Sequence, residues 1–345
     1  MRGRNVTQDT LFFSMTLEYL ETYMPKQLGR SPQTIKAHRD TLTVFRRFLF
    51  EERQTSIRYF SFQECTPALM QDFILYLKAN GNSAATCNRR LSSLRSYLWF
   101  ASDRDVALQS VALRIDKIPL CKEEQREKKI LSQDAMYCIL CQPANTRMGL
   151  RDRMMMILLY DSAIRLDELL NLRVQDAVLE QKAPYIRVYG KGSKERIVAI
   201  TDMTAAHLSE YLRVFHEGTA DRQSLLFYTK VKGRIGKMSE GNAERFITQY
   251  ARQASTECAD IPEKIHPHMF RRSRATQLYQ GGVELALISR ILGHSSIETT
   301  KIYAVPSMDM LRDAMQSVET PEQLSEKSLW EACSEDTFAK LCGLR

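Results

Sequence analysis

The sequence predicts a mainly α-helical protein with one small antiparallel β-sheet, on three observations. Apolar residues recur at helical spacing through most of the 345 residues. One stretch, 185–200, is instead rich in β-branched and aromatic residues and is broken by Gly190 and Gly192. A charge-dense run, RIDKIPLCKEEQREKK, interrupts both patterns after Leu113. The length exceeds one ordinary core, so the reading is a helical domain over 10–112, a linker over 113–128, a mixed α+β domain over 129–320 and a tail over 321–345.

The first domain reads as helices throughout. Ser31 before Pro32 is an N-cap followed by proline at the first helical position, and Ile35, Leu42, Phe45, Phe48 and Leu49 then keep helical spacing. Another helix starts near Ser83, with Leu91, Leu94 and Leu98 as its apolar stripe. Both are basic: Lys36, Arg39, Arg46 and Arg47 lie on the first, Arg89, Arg90 and Arg95 on the second. Singly these cations fit a solvated face; as a cluster they predict a surface that grips phosphate.

In the second domain Ser132 caps a helix carrying Ala135, Met136, Ile139 and Leu140, and a strongly apolar helix comes next over 154–160. Strands over 185–189 and 196–200 form a hairpin with Lys191 at its tip. Helices resume after Ser239. One ends at Gly281 and Gly282, and the next, from Val283, ends at Gly293. Ser295 and Glu298 have the spacing of a capping box, which sets His294 at a helix junction and Tyr303 near the end of a short helix that Pro306 stops. Met310, Leu311 and Met315 continue a helix, and the tail carries Leu329, Trp330, Phe338 and Leu341, which need a surface to bury them.

Net charge +8 and pI near 9.0 fit a polyanionic partner. No run of about eighteen apolar residues suits a membrane, and the start MRGRNVTQDTLFF lacks the parts of a signal peptide, so a cytoplasmic, nucleoid-associated protein is expected. The eight cysteines are too sparse for a disulfide scaffold. Cys138 and Cys141 form a CxxC, but no second pair occurs at zinc-finger spacing, so the expectation is a helix face and no metal.

Six residues could act together on a phosphodiester: Arg165, Lys191, His268, Arg271, His294 and Tyr303. Guanidinium forks match a phosphate's non-bridging oxygens, so Arg165 and Arg271 form a clamp. An attacking phenol must lose a proton and the departing sugar oxygen must gain one, which suits His268 beside Tyr303 and Lys191 at the leaving 5′-oxygen. His294 would donate a hydrogen bond to the developing charge. No paired carboxylates are placed to hold Mg²⁺, and GKGSK misses the spacing of a nucleotide-binding loop, so no cofactor and no small-molecule substrate are expected.

HPHMFRRSRAT together with ILGHSSIETTKIYAVP resembles the tyrosine site-specific recombinases, the phage-integrase family, in their Xer-like branch. The intervals of 3, 23 and 9 residues along His268, Arg271, His294 and Tyr303 are those of the family. The resemblance implies a helical core-binding domain before a catalytic domain, Glu168 orienting Arg165, a 3′-phosphotyrosyl intermediate, and double-stranded DNA as partner. It also implies a homo-tetramer on two DNA sites, alone or with a sister recombinase, and a tail that docks on a neighbouring protomer or on its own domain. The chain departs from the pattern at Ser162-Ala163, where Thr-Gly is common, and at Arg272, where His is common. Two other readings compete. The segment from Val283 through His294 can be read as half of a helix-turn-helix regulator, and type IB topoisomerases use a similar residue set without a specific site.

Overall fold

The computed structural model describes residues 11–123, 129–190, 195–217, 221–294, 296–317 and 334–343. It is mainly helical with a small antiparallel sheet, as the sequence predicts, and divides into one unit over 1–127 and a second over 128–345.

The first unit is built on the helices Pro32–Arg53, Pro67–Ala79, Ala84–Arg104 and Gln109–Asp116. The capping residues are the expected ones. Ser31 Oγ accepts from the Thr34 N–H at 3.3 Å and Ser83 Oγ from that of Thr86 at 3.3 Å, and Pro32 and Pro67 each open a helix where a missing N–H costs nothing. The core is aromatic: Phe12, Tyr19, Phe45, Phe73, Tyr97 and Phe100 are buried, with Phe45 and Phe73 meeting edge to face at 5.1 Å. The stretch read as linker from residue 113 begins as helix. Val111, Ala112, Ile115 and Ile118 are buried in this unit's core, and Asn88 pairs with the Cys121 backbone in both directions at 2.7 and 2.9 Å. The unit therefore extends at least to Cys121, because charges at Arg114, Asp116 and Lys117 lie between apolar anchors at helical spacing.

The second unit packs helices against a three-stranded antiparallel sheet, Ala177–Val178, Tyr185–Tyr189 and Glu195–Ala199 in that order, with Arg187 opposite Ile197. Ile186, Val188 and Val198 on its inner face share one core with Met155, Leu159 and Leu208 from the helices Arg147–Ser162 and Asp202–His216. A second hairpin, Tyr228–Val231 with Arg234–Lys237, turns at Lys232 (φ 48°) and Gly233 (φ 81°) and escapes strand patterning because it reads KVKGRIGK. Gly149 is required by contact: a Cβ there would lie 2.0 Å from the Ala144 carbonyl oxygen.

The helices Glu240–Ala254, Pro267–Gln280 and Leu285–Leu292 complete this core, and Gly293 ends the last in the left-handed conformation at φ 65°. Ser295, half of the expected capping box, lies outside the described residues. Ser296 Oγ accepts from the Glu298 N–H at 3.3 Å, and the chain runs on as two single 3₁₀ turns, Ile297–Thr299 and Lys301–Tyr303. The short helix that ends at Tyr303 is thus a single 3₁₀ turn. A helix-turn-helix needs a second full helix here, and among the described residues none forms. Met308–Gln316 and Glu335–Leu341 are helical; Leu329 and Trp330 of the tail lie outside the described residues. Among the described residues no helix is long and apolar enough to cross a membrane.

Candidate active site

Arg165 caps the short helix Leu166–Asn171, and the three-residue step to Glu168 brings that carboxylate back over it. The Arg165 backbone N–H donates to Glu168 Oε2 at 2.8 Å and its Nη1 to Oε1 at 2.9 Å. Among the described residues only one guanidinium nitrogen is used, and the side chain is 45% exposed. It borders a cleft of about 320 Å³ shared with His266, His268, Arg271, Glu240 and Glu244.

Arg271 is set into the protein rather than onto its surface, at 1% exposure. Nη1 donates to the Ala163 carbonyl at 2.7 Å, and Nη2 to the Leu292 carbonyl at 2.7 Å and to His294 Nε2 at 3.0 Å. Nε is buried without a partner among the described residues. Burial first, then the charge of Arg165, lowers this guanidinium to about 10. The Ala163 carbonyl reaches it from a left-handed residue, φ 51°, at the end of the helix Arg147–Ser162. That conformation costs an alanine about 1–2 kcal/mol, so the departure from glycine at this position is a strained one.

His294 lies between Arg271 and the turn that carries the tyrosine. Because a guanidinium can only donate, Nε2 accepts, and Nδ1 carries the proton and donates to Thr300 Oγ1 at 2.8 Å. In the free protein, therefore, Nε2 has no hydrogen to give. Tyr303 is 2% exposed, its ring nearly parallel to that of His294 at 6.1 Å and packed with Ala163, Ala275, Ile288 and Leu292.

Burial, then the charges of Arg271 and its neighbours, pushes both His268 and His294 down to about 4. Both rings are neutral near pH 7. His268 borders the cleft beside Arg165 and Arg271, and among the described residues no hydrogen bond joins it to Tyr303. Lys191 lies outside the described residues.

One member of the cluster is not legible in the sequence pattern. Arg196, on the strand Glu195–Ala199, meets Glu168 with both Nη atoms, at 2.9 and 2.8 Å, and its Nε donates to the Ile291 carbonyl at 3.3 Å. Burial pushes the Glu168 carboxyl up, but the hydrogen bonds from Arg196 and the Arg165 backbone outweigh it and hold the group below its ordinary range. Three guanidiniums, those of Arg165, Arg196 and Arg271, thus gather around the buried Glu168 carboxylate, while Asp167, Glu240 and Glu244 also border the cleft.

The basic helices of the first unit divide. Lys36, Arg46, Arg47 and Arg89 are exposed, and Arg39 is exposed but paired with Glu21. Arg90 is half-buried, with Nη1 inside the protein. Arg95 is a structural residue: it donates to the Ile115 and Ile118 carbonyls and lies 3.8 Å from Asp116, which leaves it 16% exposed and occupied.

The profile of the phage integrase family matches residues 129–310, and that of the phage integrase N-terminal SAM-like domain matches 17–105. The chain is 30% identical over 301 residues to tyrosine recombinase XerD of Staphylococcus epidermidis, covering 86% of this chain and 95% of that protein. It is 28% identical over 292 residues to XerD of Oceanobacillus iheyensis, at 84% and 93% coverage, and 29% identical over 309 residues to XerC of Myxococcus xanthus, at 88% and 97%. In fold it is similar to the XerH site-specific recombinase bound to its difH substrate after cleavage, with a TM-score of 0.65, 24% identity, and coverage of 86% of this chain and 83% of that one. The Tn1549 transposon integrase in complex with circular-intermediate DNA gives a TM-score of 0.65 at 17% identity, covering 87% and 98%.

Proposed function

The chain belongs to the phage integrase family and is a tyrosine recombinase of XerC/XerD type, and from that premise we propose which of its residues carry out strand cleavage and how. Neither a regulator without catalysis nor a strand-relaxing topoisomerase accounts for this relationship.

The observation that carries the reading is the shared hub of Arg271, His294 and the Tyr303 turn beside the half-free Arg165. A double-stranded DNA enters with its scissile phosphate over the cleft. The nitrogens of Arg165 and the Nε–H of Arg271 that have no partner among the described residues then take its non-bridging oxygens. Tyr303 Oη attacks phosphorus in line, neutral His268 accepts the phenolic proton, and Lys191 protonates the departing 5′-oxygen. The product is a 3′-phosphotyrosyl ester that retains the bond energy, so the reverse attack by a 5′-hydroxyl rejoins DNA. The phosphate's negative charge favours a proton on His294 Nε2; the ring then gives up the bond it accepts from Arg271 Nη2, which keeps the Leu292 carbonyl, and donates to the developing charge instead.

Exposed Lys36, Arg46, Arg47 and Arg89 on the first unit would hold the flanking backbone. Four protomers would assemble on two duplexes, as a homo-tetramer or with a sister recombinase, with the tail from 321 docking on a neighbour.

The test uses nicked duplexes of a DNA fragment that the protein binds in a shift assay, incubated in EDTA. Wild type should become covalently attached while Tyr303→Phe binds equally and forms no adduct. Tight wild-type binding with no adduct on a fragment holding the full site would count against the reading.

A further inference from the structure

We propose that Arg196 is a positioning residue for strand cleavage: it saturates Glu168 so that Arg165 keeps most of its guanidinium free for the phosphate. The inference rests on the functional reading above and goes beyond it, because Arg196 belongs to none of the six roles assigned there.

Glu168 is buried, its side chain 6% exposed, and both of its oxygens are doubly bonded to donors. Oε1 takes Arg165 Nη1 and Arg196 Nη1, both at 2.9 Å; Oε2 takes the Arg165 backbone N–H and Arg196 Nη2, both at 2.8 Å. A buried carboxylate cannot remain half-satisfied cheaply. Without the Arg196 fork, the guanidinium of Arg165, which already meets Oε1 and is 45% exposed, has room to turn and take its place. Turning to bind Glu168 with two nitrogens would spend the donors that the phosphate needs. Arg196, at 14% exposure, has no such freedom.

Geometry explains why this residue is an arginine and why a glycine lies against it. A bidentate partner with a third donor left over is a guanidinium, and a lysine supplies only a point charge. Its remaining Nε–H goes to the Ile291 carbonyl, at the end of the helix that leads into His294. Gly293 makes that approach possible: a Cβ there would lie 2.9 Å from Cδ, Nε and Cζ of Arg196. One side chain thus ties the strand Glu195–Ala199 to the Arg165 helix and to the turn before His294.

The test is a single-turnover measurement of adduct formation at saturating DNA, on a nicked duplex of the fragment that wild type binds. R196A should bind within a few-fold of wild type and form the adduct about 100-fold more slowly, the scale expected of a misplaced catalytic group. R196K should recover only part, lacking the fork. R196Q is read in the same way if the alanine variant does not fold. The distinguishing readout is rescue: R196A combined with E168Q should form adduct faster than R196A alone, because the carboxylate that captures Arg165 is gone. An R196A rate equal to wild type overturns the proposal. So does a loss that tracks Tm and DNA binding in step with no recovery in the E168Q background. Absence of adduct with wild type would strike the functional reading instead.

Discussion

Replacing Thr300 with valine removes one atom on which the site's proton arrangement depends. Thr300 is fully buried, and its Oγ1 is the acceptor for His294 Nδ1–H at 2.8 Å. On the other side of the ring, Nε2 must stay bare to accept from Arg271 at 3.0 Å. In T300V the Nδ1–H loses its partner, and moving the proton to Nε2 would set it against an arginine donor. Either outcome leaves one polar group unmet in a partly buried place, at about 1–3 kcal/mol. For a unit of this size that is a fall in Tm of about 2–12 °C. Because the same turn leads into Tyr303, whose N–H donates to the Thr300 carbonyl at 2.9 Å, adduct formation should slow by about 10–100-fold, by analogy with the loss of the outer hydrogen bond to a metal-ligating histidine. Thermal denaturation without DNA and single-turnover cleavage read the two effects, and T300S, which keeps the hydroxyl, should restore both. A T300V protein with wild-type Tm and rate would refute the assigned proton position.

His268 and His294 have folded values near 4 against about 6.5 unfolded, so between those values the unfolded chain binds more protons. Stability should therefore be complete above about pH 6.5 and fall as pH drops towards 4, and H268Q with H294Q should flatten that fall in a pH series of Tm values. Gly293→Ala should lower Tm and slow cleavage together, since it forces alanine to φ 65° and pushes Arg196 aside; an unchanged rate would show that the close approach is dispensable. In the first unit, R95A should lower Tm, whereas Arg46→Ala with Arg47→Ala should leave Tm in place and weaken DNA binding across sequences. The salt slope of that binding should fall by about 0.9 for each phosphate no longer neutralised, and an unchanged slope would remove these residues from the DNA surface.

The parts of this protein that the sequence makes legible are those that local rules determine. Caps at Ser31, Ser83 and Ser132, the strand at 185–189 and the stops at Gly281 and Gly293 all depend on neighbours a few residues apart. The register of His268, Arg271, His294 and Tyr303 is likewise a sequence pattern. Arg196 escapes it because its meaning lies 28 residues away in Glu168, and a strand arginine near lysines reads as a solvated charge. Arg95 is misread for the same reason: its partners are carbonyls 20 and 23 residues on, in a stretch whose charges conceal the burial of Ile115 and Ile118. The hairpin at 228–237 lacks alternation because its residues over 234–237 are all exposed. His294's bare Nε2 is set only by the position of Arg271 in space.

The most direct measurement is to digest the covalent protein–DNA adduct and locate the nucleotide by mass spectrometry. The account predicts a phosphodiester from Tyr303 to a DNA 3′-end, with a free 5′-hydroxyl on the other side of the break. A nucleotide on any other residue, or a 5′-linkage, would contradict it.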